Sequence, residues 1–249
     1  MLQLWNLFEF AGTIAFAVSG AIVGMTRNMD VFGITVLAVL TAVGGGMIRD
    51  VLAGYTPPMA LENPGNLLLS VLTALAMSWL FASYRVAGRK RQIVTFFYIA
   101  ADTVGLASFT VTGTLTGLSQ GRPHTFVYPI MLDLLTAVGG GVLRDLMAQR
   151  IPSVLSTDVY ATASLAGSLV MCLCWHYESQ DLAPWLGAFM VVALRFFAVR
   201  FRWQLIHPME RRKRGEGIKN GRRRFSPPWS RPVTRKEGLP GSTSVLISY

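Results

Sequence analysis

The chain has 249 residues, of which 52% are hydrophobic and only 14% charged, where a soluble domain carries about 25% charged. Thirteen of its 23 Lys and Arg residues lie from Arg200 onward, which leaves ten for the first 199 residues, too few to clothe a water-facing surface. Those numbers exclude an ordinary soluble enzyme. The net charge of +10 is confined to the tail and is no argument for nucleic-acid binding by the body of the protein.

The opening residues, Met1 to Trp5, lack the basic stretch of a cleavable signal, so the first apolar segment is expected to remain as a membrane span. A span needs about 20 apolar residues to cross about 30 Å of hydrocarbon. Seven stretches qualify, at 4–25, 31–54, 66–84, 94–118, 126–148, 159–177 and 183–201. The connections are polar or broken by proline: Arg27-Asn28-Met29-Asp30, then Pro57-Pro58 with Glu62-Asn63-Pro64-Gly65, then a basic loop from Arg85 to Gln92. Gln120 to His124 is the next, Pro152 ends the fifth span, and Glu178 to Pro184 separates the last two. Arg27, the Arg85–Gln92 loop, Arg150 and the tail fall on one side, with Arg122 on the other. By the positive-inside rule the C-terminus is expected in the cytoplasm and the N-terminus outside, or in the periplasm, with the chain in the plasma (inner) membrane.

From about Leu205 the sequence becomes basic and rich in Gly, Ser and Pro, and reads as a disordered cytoplasmic tail over 205–249. Such a tail lies naturally on anionic lipid, each basic residue being worth about 1 kcal/mol there. Nucleic acid is not an expected partner. Cys172, Cys174 and His176 form a C-x-C-x-H string, but on a helix Cys174 points away from the other two. Ordinary packing is the reading there, with no fixed metal site and no cofactor.

The strongest feature is an internal repeat. Residues Thr41 to Asp50, TAVGGGMIRD, recur as Thr136 to Asp145, TAVGGGVLRD, with eight of ten positions identical at an offset of 95. Upstream, Glu9, Gly12, Phe16, Val18 and Gly20 match Asp102, Gly105, Phe109, Val111 and Gly113 at an offset of 93. Each copy holds three spans, an odd number, so the second enters the membrane upside down. The predicted organisation is a first three-helix repeat over 1–92, an inverted second over 93–182, and a seventh helix over 183–204. The fold class is therefore an all-α integral membrane protein.

Three glycines in a row weaken a helix, at about 1 kcal/mol each relative to Ala in a soluble host. Gly44, Gly45, Gly46 and Gly139, Gly140, Gly141 are expected to kink spans 2 and 5 beside a pathway, where half-broken carbonyls would favour a passing cation. The alternative is close helix packing. Arg49, Asp50, Arg144 and Asp145 follow the triplets, and a charge at the bilayer centre costs at least ~2.5–3.5 kcal/mol. Neighbouring Arg and Asp point about 100° apart on a helix, so partners from the other repeat, with Glu9 and Asp102 as candidates, stand beside snorkelling to the headgroups. Asp133 has Ala38 as its repeat mate. It faces the pathway, neutralises an arginine, or sits near a helix end in water.

These twin T-A-x-G-G-G-x-x-R-D motifs, with E/D-x-x-G on spans 1 and 4, resemble the prokaryotic branch of the trimeric intracellular cation (TRIC) channel family. The same sequences have also been described as a bacterial glycine-transporter family. The resemblance covers about residues 4 to 200. It implies a homotrimer of seven-helix protomers, each with a potassium-permeable pore, and spans 2 and 5 kinked at their glycines. Two features depart from it: the basic tail, and Asp133 where a small or neutral residue is expected. The leading expectation is a channel for monovalent cations, the rival a carrier for glycine or another small amino acid, and a scaffold acting through the tail a third. No His/Asp/Ser constellation or metal-ligand cluster in the spans points to an enzyme.

Overall fold

The computed structural model describes residues 2–84, 91–120, 126–156, 159–177 and 180–201. Most of the basic loop and the whole tail from 205 lie outside the described residues. The described chain is all helix: α1 (Leu2–Thr26), α2 (Val31–Ala53), α3 (Met59–Glu62), α4 (Gly65–Tyr84), α5 (Arg91–Ser119), α6 (Val127–Met147), α7 (Ser153–Ser156), α8 (Ala161–His176) and α9 (Ala183–Phe201). Each of the seven apolar stretches coincides with one of the long helices, spans 2 and 5 being α2 and α6. Four of them, α1, α2, α5 and α9, are long and apolar enough by length and composition to cross a membrane. The apolar runs of α4 and α8 are shorter, and α6 carries Asp133, Arg144 and Asp145 within its 21 residues.

The short helices α3 and α7 are a correction to the sequence reading, which had only proline-containing loops there. Four residues are too few to show a 3.6-residue period. Their cause is visible in space: Asp50 Oδ2 accepts from the Met59 amide at 3.0 Å, and Asp145 Oδ2 accepts from the Ser153 amide at 2.7 Å. Each carboxylate thus satisfies an amide at the start of the following helix. Elsewhere the ends are conventional. Asp30 caps α2 by accepting from Gly33, and Gly54 ends it at φ 86°, a left-handed conformation that glycine adopts without a Cβ penalty.

Helices α1, α2 and α4 pack as one group and α5, α6 and α8 as another. The groups join through α1 against α5 and α2 against α6, while α9 lies on α8 and α5. Contacts at the joint are exchanged between equivalent positions. Gly12 faces the Phe109 ring and Gly105 the Phe16 ring, and the two rings meet edge to face at 5.1 Å. Gly20 lies against Ala38 and Thr41, as Gly113 lies against Asp133 and Thr136. Gly45 sits on the Thr136 carbonyl, and Gly140 on the Thr41 carbonyl.

The glycine triplets are therefore the place where two backbones touch. Both helices run unbroken through them, so the half-broken carbonyls expected from the sequence are absent from the described residues. Close packing explains Gly45 and Gly140 directly. Gly46 is different: apart from its own helix backbone, the described residue within 4 Å of an added Cβ is Arg49, whose tip lies at 3.7 Å.

Polarity is reversed relative to a water-soluble protein. Arg49, Asp50, Asp102, Asp133, Arg144 and Asp145 are buried, while Phe32, Trp79, Phe96 and Phe189 are more than two-thirds exposed. Only an apolar surrounding makes such an exterior favourable.

Gly45→Ala or Gly140→Ala forces a Cβ into backbone, and should destabilise the protein by about 1–3 kcal/mol. Gly46→Ala meets ordinary contacts and should be neutral or stabilising. Thermal unfolding of the three variants in detergent checks this ordering.

Candidate functional site: two arginine–carboxylate clusters beside the helix crossing

Arg49 and Arg144 stand four residues beyond Gly45 and Gly140. They emerge on the same helix face one turn past the backbone contact. Neither snorkels: Arg49 is 1% exposed and Arg144 not at all. A guanidinium so placed is tolerable only with carboxylates at hand.

The two clusters share a plan. Arg49 Nε donates to Asp50 Oδ1 at 2.9 Å, and Arg144 Nε donates to Asp145 Oδ1 at 2.8 Å. Sequence neighbours pair after all, which corrects the helical-wheel argument. The distal nitrogens then reach the acid on the first helix of the same repeat, not of the other repeat as the sequence suggested. Arg49 Nη1 lies 3.9 Å from Glu9 Oε2, and Arg144 Nη1 lies 2.6 Å from Asp102 Oδ1. The other repeat contributes Ser19, whose hydroxyl accepts from Arg144 Nη1.

From there the clusters diverge. Around Arg144 the space is taken up by side chains. Arg195 of α9 donates to Asp102 Oδ2 at 3.2 Å and lies over the Tyr160 ring at 4.9 Å. Arg150 donates from Nε to Asp145 Oδ1 at 2.9 Å and from Nη2 to the Tyr98 hydroxyl at 2.8 Å. Tyr98 in turn lies against the Arg144 guanidinium, at 5.2 Å. Tyr160 closes the wall beside Gly141, where an added Cβ would meet its hydroxyl.

Around Arg49 there is instead a cavity of about 990 Å³. Its lining includes Trp5, Glu9, Val43, Gly46, Arg49 and Asp50. At the offset of 95, Tyr160 falls on Gly65 and Arg150 on Tyr55, and both of these also line the cavity. The formal charges differ too: Glu9, Arg49 and Asp50 sum to −1, whereas Asp102, Arg144, Asp145, Arg150 and Arg195 sum to +1.

Asp133 belongs to neither cluster. It is fully buried, and the Ser164 hydroxyl lies 2.9 and 3.0 Å from its two carboxylate oxygens. Ser164 also shares a 2.9 Å hydrogen bond with Thr110. A helix end in water is thereby excluded for Asp133, and no ion pair to an arginine is found among the described residues. Cys172 is buried and, like Cys174, a free thiol.

Sequence reasoning missed Arg195, Arg150, Tyr98, Tyr160 and Ser19. Arg195 left one trace, a charge in the middle of an otherwise apolar helix, which is itself a functional signal in a membrane span.

Comparison with known proteins places this arrangement. The family model described as "Glycine transporter" matches residues 6–82 and 99–176, one match on each repeat. The chain belongs to this family. The UPF0126 membrane protein YvgT of Bacillus subtilis is 35% identical over 81% of this chain and 95% of its own length. The UPF0126 inner membrane protein YadS of Escherichia coli K12 is 31% identical over 82% and 95%. Among solved structures, a prokaryotic TRIC channel in KCl is similar with a TM-score of 0.74 at 29% identity, over 82% of this chain and 100% of that one. The TRIC trimeric intracellular cation channel orthologue from Rhodobacter sphaeroides is similar with a TM-score of 0.72 at 30% identity, over 80% and 98%. The suspected family is thus the right one, and the chain is a multi-pass membrane protein of TRIC-like fold.

Replacing Arg144 by Met leaves Asp102 with only Arg195, and Asp145 with only Arg150, as arginine partners in the interior and should destabilise the protein by about 3 kcal/mol. Arg49→Met should cost less, because its cluster borders a cavity that leaves room for the neighbouring side chains to rearrange. Thermal unfolding midpoints of the two purified variants give the comparison.

Proposed function

We propose that the chain forms a passive pathway for monovalent cations, potassium foremost, through each protomer of a homotrimer. The route runs beside α2 and α6, and its mouth is the cavity at Glu9, Arg49 and Asp50. The observation that carries this reading is that cavity: it lies against Gly46 and Arg49 of α2, carries a net negative charge, and belongs to a chain alike over nearly their full length to solved cation channels. A net negative mouth with apolar walls concentrates cations over anions. The filled cluster at Arg144 and the touching backbones at Gly45 and Gly140 then represent a closed state.

In this reading all seven long helices cross the membrane, as two inverted repeats over 1–92 and 93–182 followed by a helix within 183–204. The N-terminus is external and the C-terminus is in the cytoplasm, with the tail from 205 lying on anionic lipid of the inner membrane. Glu9, Arg49, Asp50, Asp102, Arg144 and Asp145 act as pathway or gating charges. Asp133, held by Ser164, is a second-repeat feature within the same bundle. The chain works as a conduit, with no catalytic step.

A second reading has one specific observation in its favour. The cavity is accessible on the Arg49 side while the equivalent place at Arg144 is packed, as in a carrier open to one face. A carrier for glycine or another small amino acid also agrees with the description of the family.

Purified protein in planar bilayers under a potassium gradient separates the two. Unitary current steps support the channel, and saturable uptake of labelled glycine without unitary current supports the carrier. Gly46→Leu projects a side chain into the cavity without touching the backbone contact. It should cut potassium conductance at least about tenfold, equivalent to about 1.4 kcal/mol on the barrier, while leaving the trimer intact by size-exclusion chromatography with light scattering. Unchanged conductance in that variant would remove Gly46 and the cavity from the route.

A further inference from the structure

We propose that Asp133 is a proton-binding site of the second repeat: as a neutral acid it clasps α8 to α6, and loss of its proton releases the turn of α8 that carries Tyr160. The carboxyl is fully buried where Gly113 of α5 lies against the Asp133 backbone. Its partners are hydroxyls. Ser164 Oγ of α8 stands 2.9 and 3.0 Å from the two carboxyl oxygens, and Thr110 Oγ1 of α5 stands 2.9 Å from Ser164 Oγ. The Ser168 hydroxyl, one turn further along α8, also interacts with the carboxyl. Charged groups on the neighbouring helices are engaged elsewhere: Glu9 faces Arg49, Arg49 holds Asp50, and Asp102 is held by Arg144 and Arg195. Cys172 of α8, a buried thiol, is the titratable side chain that Asp133 acts on. An ionised carboxylate without a cation is among the costliest groups to bury, whereas a neutral acid needs only its hydrogen bonds.

The near-equal distances from Ser164 to both carboxyl oxygens fit the neutral acid. A hydroxyl has one hydrogen, so Ser164 can donate fully to only one of the two oxygens. A protonated carboxyl supplies the other bond: one of its oxygens donates to Ser164 Oγ while Ser164 donates to its partner oxygen. Thr110 then donates to the remaining lone pair of Ser164. Three hydrogens make three bonds, and helices α5, α6 and α8 are tied at one point.

The first repeat shows the same place without an acid. Asp133 and Thr110 fall on Ala38 and Ala17, both fully buried. Ser164 falls on Ser70 at an offset of 94, where Met171 also falls on Met77. Ser70 is as buried as Ser164, yet its hydroxyl donates to its own helix, at the Leu67 carbonyl, 2.7 Å away. Packing alone is therefore satisfied by two alanines and a serine turned back on its helix. The second repeat adds the acid and the threonine and turns the serine across the helix interface. Tyr160 stands one turn before Ser164, with its hydroxyl beside Gly141 and its ring under the Arg195 guanidinium at 4.9 Å. The clasp and the wall of the sealed cluster thus occupy adjacent turns of one helix end. A charge at Asp133 demands water or a cation in place of the clasp, and admitting either parts α8 from α6.

The proton site stands independently of conduction; its effect on current rests on the channel reading. The test compares the full-length purified protein with Asp133→Asn, whose amide keeps the shape and the hydrogen bonds of the neutral acid. At neutral pH, the infrared difference spectrum should show the carbonyl stretch of a protonated carboxyl, present in the unmodified protein and missing from the variant. Loss of an ionised-carboxylate band in its place would overturn the proposal. Above about pH 5 the unfolded chain has released this proton and the folded chain has not, so the unfolding constant of the unmodified protein should rise about tenfold per pH unit relative to Asp133→Asn. The same pH dependence in both proteins would overturn the site. Should Asp133→Asn fail to fold, Asp133→Ala, which restores the residue of the first repeat, replaces it in both measurements. In planar bilayers, alkaline solution should raise the potassium current of the unmodified protein and leave that of Asp133→Asn unchanged. An equal rise in both, or none in either, overturns the coupling to Tyr160 while the infrared band still judges the proton site. No potassium current at any pH counts against the channel reading.

Discussion

Where α2 crosses α6, backbone lies against backbone, because Gly45 and Gly140 present no side chain at the point of contact. Much else follows from that approach. A residue one turn further along the same face has nowhere to go but inward, and in both helices that residue is an arginine. An inward arginine in an apolar surrounding requires carboxylates, and these come from the next residue in the chain and from the first helix of the same repeat. The next carboxylate, Asp50 or Asp145, is then held so firmly that its second oxygen serves the amide at the start of the following short helix. The glycines, the Arg-Asp pair and the short helix are thus links of one chain of consequences.

Duplication copies this chain of consequences, and divergence has left one copy sealed and the other open. The sealing elements are few. An aspartate replaces the glutamate on the first helix, tyrosines stand at 98 and 160, an arginine stands at 150, and α9 lends Arg195. The sealed cluster carries a surplus positive charge and the open one a surplus negative charge. Screening is weak in so dry an interior, so a surplus charge acts on an approaching ion across the width of the protein. On the channel reading, a cation entering the cavity is drawn to Glu9 and then faces tethered guanidinium groups beyond the crossing. A conducting state, on that reading, moves or re-pairs Arg150 and Arg195, which stand in the packed cluster.

The fold was largely legible in the sequence because hydropathy over twenty residues integrates many weak signals, and the twin GGGxxRD segments give a register that needs no alignment. The candidate site was legible at its centre and obscure at its edge. Glu9, Arg49, Asp50, Asp102, Arg144 and Asp145 are found by repetition alone. The pairing of neighbours was misjudged because a helical wheel describes Cβ directions. An arginine is long enough for Nε to curl back to the adjacent carboxylate while its Nη atoms continue inward. The roles of Gly45 and Gly46 could not be separated from sequence, since adjacent glycines look alike until a partner helix is set against one of them. Arg195 and Tyr160 have no repeat mate of similar chemistry, so the repeat that exposed the rest concealed them.

That concealment points to what distinguishes the two halves. Had both repeats kept the same residues, the two clusters would be open together or closed together, and neither end of a pathway could be controlled without the other. On the channel reading, residues without a counterpart are the ones that distinguish the two ends. Glutamate at position 9 carries one methylene more than aspartate at 102, yet its carboxylate stops 3.9 Å from the guanidinium, and among the described residues no second arginine lies on it. Asp102 is gripped from Arg144 and Arg195 at once, and the seventh helix, outside the duplicated core, supplies the second of those grips. Through Arg195, α9 thus breaks the equivalence of the two clusters at Asp102, whose counterpart Glu9 has no such contact among the described residues.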